Sequence, residues 1–232
     1  DFAVRQRLGY LPESVSFHLA LTGRETLSFY ARLKRVDVTK ADVLFERVGL
    51  TPEAADRPVR TYSKGMRQRL GLAQALLGEP RVLLLDEPTS GLDPALRRSF
   101  YDLVADLRDR GATVLLSSHA LTELEGRADR VIIVNRGIKI ADGTLDELRR
   151  IARLPTRISI RLANDRPAPV WANGSSRWKK NGQTLEADVL PEDKIALLHD
   201  ITAHPDELAD LAVAEPTLDD LYAHFLNGQG KP

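Results

Sequence analysis

Tyr62-Ser63-Lys64-Gly65-Met66-Arg67-Gln68-Arg69 and, one short helical stretch later, Val82-Leu83-Leu84-Leu85-Asp86-Glu87-Pro88-Thr89-Ser90-Gly91-Leu92-Asp93-Pro94 decide the fold of this chain. Four apolar residues ending in the acidic pair Asp86-Glu87 predict a strand buried on both faces whose C-terminal end opens on a site. Ligands of open α/β sheets bind in the crevice beyond such strand ends. Side chains alternate along a strand, so Asp86 and Glu87 cannot do the same job. One carboxylate can serve a metal while the next orients or deprotonates a water. Ser63 predicts an N-cap, and Gly65 lets a ligand approach the backbone of the helix that follows. Free N–H groups and the positive end of the dipole make that helix start an anion site.

Downstream, Asp93-Pro94 starts a helix with Leu96, Phe100, Leu103, Val104 and Leu107 on one stripe, and Gly111 ends it. Thr113 to Leu116 predicts a second buried strand, with Ser117-Ser118-His119 at its C-terminal end. A parallel sheet puts both strand ends on one edge, which brings His119 towards Glu87. Upstream, Asp1 to Arg7 is a polar lead-in to the short apolar segment Leu8 to Leu11, halted by Pro12 and followed by Glu13. Thr22-Gly23-Arg24-Glu25 has capping-box spacing and opens a helix to about Lys34. A further helix is expected over Thr39 to Val48, stopped at Gly49, and Thr51-Pro52 has the form of an N-cap with Pro at the first position. The helix after Ser63 carries Leu70, Ala73, Leu76 and Leu77 at core spacing, with Arg67 and Arg69 expected on solvated flanks.

Arg130 to Val134 and Ile138 to Ala141 predict strands joined at Asn135-Arg136-Gly137, and Thr144-Leu145-Asp146-Glu147 caps a helix to about Arg153. Composition changes at Pro155. Beyond it, Arg157 to Leu162 alternates as a one-face-buried strand, Asn181-Gly182 fits a tight hairpin, Pro191 to Asp200 is helical, Leu208 to Val213 is a strand, and Thr217 opens a final helix. The expected organisation is an α/β domain over 1–154, with a helical subdomain over about 14–80, and an α+β accessory domain over 155–232.

The 232 residues balance 33 basic against 33 acidic side chains, so no basic footprint argues for nucleic acid. The absence of cysteine excludes disulfides and thiolate metal sites. No apolar run approaches the length of a membrane span.

Taken together, these residues resemble the ATP-binding cassette (ABC) ATPases. Tyr62 to Met66 sits where that family has its Leu-Ser-Gly-Gly-Gln signature, Val82 to Glu87 is similar to its Walker B strand and adjoining glutamate, and Ser90-Gly91-Leu92-Asp93 to its D-loop. His119 resembles the switch histidine, and Leu8 to Glu13 the segment ending in the Q-loop, with Glu13 in place of the glutamine. The signature departs from the common form at Lys64 and Met66 but keeps Ser63 and Gly65. The resemblance implies a P-loop NTPase-like, mostly parallel sheet and an ATPase using ATP and Mg2+. It implies that Asp86 helps hold magnesium, Glu87 deprotonates the attacking water, and His119 and Glu13 sense the γ-phosphate and metal. Ser63, Lys64, Gly65 and Met66 would grip a phosphate bound on the opposite protomer, with Ser90 and Asp93 in the D-loop.

The implied partners are a second copy in a head-to-tail homodimer and a multi-span permease, with the chain lying on the cytoplasmic face of the membrane. Phe17, His18, Leu19 and Leu21 are either the permease contact or subdomain core. Tyr62 to Arg69 and the closing Glu215-Pro216-Thr217-Leu218-Asp219-Asp220-Leu221-Tyr222 resemble ATPases of the ABC-2 exporter class, where the C-terminal extension serves dimer or partner contact. Gly9 to Phe17, Gly23 to Leu27 and Tyr62 to Pro80 are similar to ATP-binding subunits of copper-related transporters that serve nitrous oxide reductase maturation, which would add a periplasmic accessory protein. An importer ATPase, or an ABC ATPase of translation or DNA repair, is the alternative. The motif Gly-x-x-x-x-Gly-Lys-Ser/Thr occurs nowhere in the 232 residues, and the only Gly-Lys is Gly230-Lys231. The expectation is therefore a family member lacking its N-terminal P-loop part and, in this form, hydrolytically inactive.

Overall fold

Three short strands lie parallel in the first part of the chain: β1 (Leu8–Leu11), β2 (Val82–Asp86) and β3 (Thr113–Ser117), in the order β1-β2-β3. The computed structural model describes residues 2–163 and 178–228. It falls into two units, residues 1–120 and 121–232. Gly230-Lys231 lies outside the described residues.

In the first unit the helices are α1 (Phe2–Arg7), α2 (Gly23–Lys34), α3 (Asp42–Arg47), α4 (Pro52–Ala55), α5 (Lys64–Leu76) and α6 (Pro94–Asp109). Thr22 closes the expected capping box on α2, and Thr51, Ser63 and Asp93 cap α4, α5 and α6 with their side chains. The polar lead-in is the helix α1, tied down where Gln6 Nε2 donates to Lys34 O at 3.2 Å. The helix expected over 39–48 divides into a 3-10 turn, Val38–Ala41, and α3. Asp37 accepts the Thr39 N–H and starts the turn early, while Gly49, at φ +70°, ends α3 as expected.

The strands are not buried on both faces. Leu11, Leu83 and Leu85 are buried, on the face where β1 meets α5, whereas Tyr10, Val82 and Leu115, on the opposite face, are 51%, 38% and 58% exposed. Strand alternation alone produces this split, because one helix layer covers only one set of side chains. The covered face is tightly drawn: a Cβ on Gly9 would lie 2.3 Å from Ala75 O, so only glycine lets β1 reach α5.

The second unit pairs β4 (Val131–Asn135) with β5 (Ile138–Gly143) around the turn at Arg136-Gly137. Helix α7 (Leu145–Ala152) follows, again behind a full capping box at Thr144. Strands β6 (Thr156–Leu162), β7 (Lys179–Asn181), β8 (Thr184–Val189) and β9 (Leu208–Ala214) make an antiparallel sheet in the order β7-β8-β6-β9, with Gly182 at positive φ in the hairpin. Ile158, Ile160, Leu185, Ala187 and Val189 pack there with Leu197 and Ile201 of α8 (Pro191–Thr202). A second cluster joins Leu148 and Ala152 of α7 to Leu218 and Leu221 of α9 (Leu218–Asn227). That cluster places residues 121–154 with the C-terminal helix, so the composition change at Pro155 falls inside the second unit.

Candidate functional site

The parallel register sets Asp86 opposite Ser117 at the C-terminal edge of the sheet. Asp86 is exposed, and its Oδ1 accepts a hydrogen bond of 2.6 Å from Ser117 Oγ. Glu87 then leaves the strand at φ +44°, in the left-handed region that residues with a Cβ seldom adopt. Its N–H donates to Ser117 Oγ at 3.1 Å and its carbonyl accepts from Ser90 N–H at 3.1 Å. This turn aims the Glu87 carboxylate, 15% exposed, at the imidazole of His119, with Oε1 3.6 Å from Nε2. The His119 side chain is otherwise in solvent, 96% exposed. The sequence expectation that two parallel strand ends bring these residues together holds. A carboxylate shielded on one side and open on another is suited to accepting a proton from a water, and the histidine beside it to meeting an anion.

The second cluster is the start of α5. Ser63 Oγ accepts the Met66 N–H at 3.2 Å, which leaves the remaining first-turn N–H groups directed outward. A Cβ on Gly65 would meet nothing nearer than Leu92 Cδ2 at 3.6 Å, an ordinary contact. Packing within the chain therefore does not require glycine there, while close approach of a ligand does. The exposed Lys64 runs alongside the next loop, its Cδ, Cε and Nζ within 3.5 Å of where a Gly91 Cβ would stand. That loop is rigidly held: Leu92 is buried, Gln68 Nε2 reaches Pro88 O at 3.5 Å, and Asp93 Oδ1 caps α6 through the Leu96 N–H at 3.0 Å. Asp93 thus has a structural duty in this chain beside any other.

Glu13 lies two residues past β1, at the same sheet edge as Asp86 and His119, and is exposed. Among the described residues no three acidic, histidine or cysteine side chains form a metal cage. Asp86, exposed at a strand end, engages Ser117 through one carboxylate oxygen, Oδ1. A single carboxylate with waters and phosphate oxygens is the donor set magnesium takes, so the residues fit that ion bound together with a nucleotide.

The family model described as "ABC transporter" matches residues 2–90. The daunorubicin resistance ATP-binding protein DrrA3 of Streptomyces coeruleorubidus is 36% identical over 237 residues, covering 97% of this chain and 73% of that protein. The chain belongs to the ABC transporter ATP-binding family. The doxorubicin resistance ATP-binding protein DrrA of Mycobacterium tuberculosis is 35% identical over 94% of this chain and 70% of its own length. A solved ATP-binding subunit of an ABC transporter superposes with a TM-score of 0.60 at 29% identity, over 65% of this chain and 64% of that one. The α/β fold expected from the sequence is thus an ABC ATPase fold, in a family that couples ATP hydrolysis to transport. No helix among the described residues is long and apolar enough to cross a membrane.

Sequence reasoning missed four features of this ABC cassette. Ser117 joins the two acidic residues. Tyr62, buried, donates its hydroxyl to Ala54 O, and burial raises its pKa. Gln68 is buried against the loop after β2. Arg69, expected on a solvated flank, is half-buried and bonds the carbonyls of Gly49 and Gly65; Arg67 is half-buried too. Long cationic side chains lie across a helix when backbone carbonyls within reach are left open, which spacing alone does not reveal. Only Ser117 carried a sequence signal, its position two residues before His119 at the end of an apolar strand.

Proposed function

We propose that this chain belongs to the ATP-hydrolysing subunit of an exporter-type ABC transporter. The observation that carries the reading is the left-handed turn at Glu87, which puts its shielded carboxylate 3.6 Å from His119 at the sheet edge. Glu87 accepts the proton of the attacking water, and His119, free in solvent, reaches the γ-phosphate. Asp86, with Glu13 nearby, would hold Mg2+ when nucleotide is bound, supplying charge neutralisation at the phosphates. Ser63, Lys64, Gly65 and Met66 present the start of α5 to a phosphate bound by a second copy, and Ser90 and Asp93 shape the loop beside it. Signature and acidic strand end of one chain face different nucleotides, so the working form is a head-to-tail homodimer on the cytoplasmic face of a membrane, coupled to a multi-span permease. The names of the two drug-resistance relatives support export.

Among substrates, the likeness of Gly9 to Phe17, Gly23 to Leu27 and Tyr62 to Pro80 to copper-related transporters favours export of copper or sulfur species for nitrous oxide reductase maturation. The choice would be made by the permease, since a chain with no cysteine and one methionine carries no copper itself. The test is the full-length protein with its permease in vesicles. ATP-driven export abolished by Glu87→Gln supports the reading; uptake, or transport indifferent to Glu87, overturns it.

A further inference from the structure

The Ser117 hydroxyl makes two hydrogen bonds at once, and their polarity is fixed. An N–H can only donate, so the Ser117 oxygen accepts from Glu87 and its own proton goes to Asp86 Oδ1. Both bonds arise from the parallel register that pairs Asp86 with Ser117. Each has a consequence for a different carboxylate. Glu87 sits at φ +44°, a conformation that persists only where its surroundings hold it. Its N–H and carbonyl are fixed by Ser117 and Ser90, which sets the direction in which its carboxylate leaves the backbone. Asp86 is exposed and water could satisfy it, so the bond from Ser117 is not needed to rescue a buried charge. What the bond adds is orientation: one oxygen is engaged and the other is presented.

We propose that Ser117 is a positioning residue that orients the metal-side carboxylate of Asp86 and the proton-accepting carboxylate of Glu87 through a single hydroxyl. The inference rests on the roles given to Asp86 and Glu87 above. Ser117 is given no direct role on the nucleotide or on the attacking water. Its effect passes through the two acids, so its removal changes turnover and metal affinity more than nucleotide affinity.

The experiment compares Ser117→Ala, Ser117→Thr, Ser117→Val, Glu87→Gln and the Ser117→Ala/Glu87→Gln double variant of the full-length protein. Hydrolysis kinetics, thermal melting and an electron-paramagnetic-resonance titration of Mn2+ with ADP are the readouts. Loss of a charge-assisted hydrogen bond predicts a fall in kcat of about tenfold for the alanine variant, with KM for ATP within about twofold. Mn2+ affinity should fall roughly threefold, and by the same factor in the Glu87→Gln background, where no hydrolysis occurs. Threonine, which keeps the hydroxyl, restores both. Valine has the shape of threonine without the hydroxyl, so the Thr/Val pair decides the matter even if alanine lowers the melting temperature. Equal kcat and equal Mn2+ affinity in the threonine and valine proteins would overturn the proposal. Hydrolysis surviving in Glu87→Gln would instead defeat the role given to Glu87, and the Mn2+ comparison would still report on Asp86.

Discussion

Two stretches of this ABC cassette carry clusters of polar residues and use them in opposite ways. In Glu215 to Leu221 the polar groups of Glu215, Pro216, Thr217, Leu218 and Asp220 find partners within their own unit. Glu215 takes hydrogen bonds from Lys194 and, at 2.9 Å, from Thr156; Pro216 O accepts from Arg149 Nε at 3.0 Å. Thr217 and Asp220 cap each other's backbone N–H groups at 2.9 and 3.2 Å, and the Leu218 N–H donates to Glu125 at 2.6 Å. Leu218 and Leu221 are buried between these bonds. In Ser63 to Pro94 and the facing end of β3, capacity is left over: an exposed Asp86, a Glu87 carboxylate whose neighbour is a solvent-exposed histidine, and a Gly65 with room before it. Internal satisfaction marks a latch, and unused capacity at a strand end or helix start marks a place for something else. The stretch that closes the extension expected to serve dimer or partner contact also has a duty inside the second unit, holding α7, β6 and α9 together.

The largest effect should come from Glu87. In the full-length protein Glu87→Gln keeps the shape but cannot accept a proton, so steady-state hydrolysis should fall by about a hundredfold or more. ATP binding, read by equilibrium titration, should persist. Turnover within a few-fold of the parent would show that the exposed capacity at this strand end is not catalytic, and the comparison would lose its functional half.

Next comes Gly65→Asp. The new side chain has room within the chain, so melting should be unchanged, but its charge opposes an incoming phosphate and hydrolysis should drop by about tenfold or more. Mixed dimers with one altered copy should keep part of the activity if, as in the proposed head-to-tail dimer, each start of α5 serves the opposite nucleotide. A lower ATP affinity in monomeric protein would place that phosphate in cis instead. Gly9→Ala is the internal control with the reverse signature. Its Cβ would strike Ala75 O, so stability should fall by about 1–3 kcal/mol as in other overpacked sites.

Most of this contrast was legible in the sequence, for identifiable reasons. Caps announce themselves locally, and Thr22, Ser63, Asp93, Thr144 and Thr217 all cap the helices they precede. The meeting of Glu87 with His119 followed from parallel topology, since consecutive strands of such a sheet end on one edge. The burial of β2 and β3 was overstated because an apolar run does not say how many helix layers will cover it. Leu115 is as apolar as Leu83, yet lies on the open face. The Ser117 bonds were missed because they depend on register between segments 31 residues apart. The latch around Glu215 depends likewise on Lys194, Thr156, Arg149 and Glu125, none of them adjacent in the chain.

The smallest expected effect sharpens the other half of the comparison. The hydrogen bonds from Lys194 and Thr156 hold the Glu215 carboxyl below the usual glutamate range, outweighing the opposing effect of its partial burial. The Thr217 side chain and backbone N–H do the same for Asp220. A carboxyl with a depressed folded-state pKa stabilises the fold in full above its unfolded value and loses that contribution as pH falls through the folded value. Glu215 is partly exposed, so Glu215→Gln should cost no more than about 1 kcal/mol at pH 7. Thr217→Ala, which removes an N-cap, should cost about as much, roughly 1 kcal/mol. For Glu215→Gln the gap in melting temperature from the parent should be open at neutral pH and close in acid below the ordinary carboxylate range, where the parent's Glu215 is itself protonated. ATP hydrolysis at pH 7 should match the parent in both variants, since neither residue lies in the unit that holds Glu87. A gap that persists unchanged in acid would show that the Glu215 contribution is steric rather than ionic. Hydrolysis lost with stability intact would mean that this stretch does more than latch its own unit.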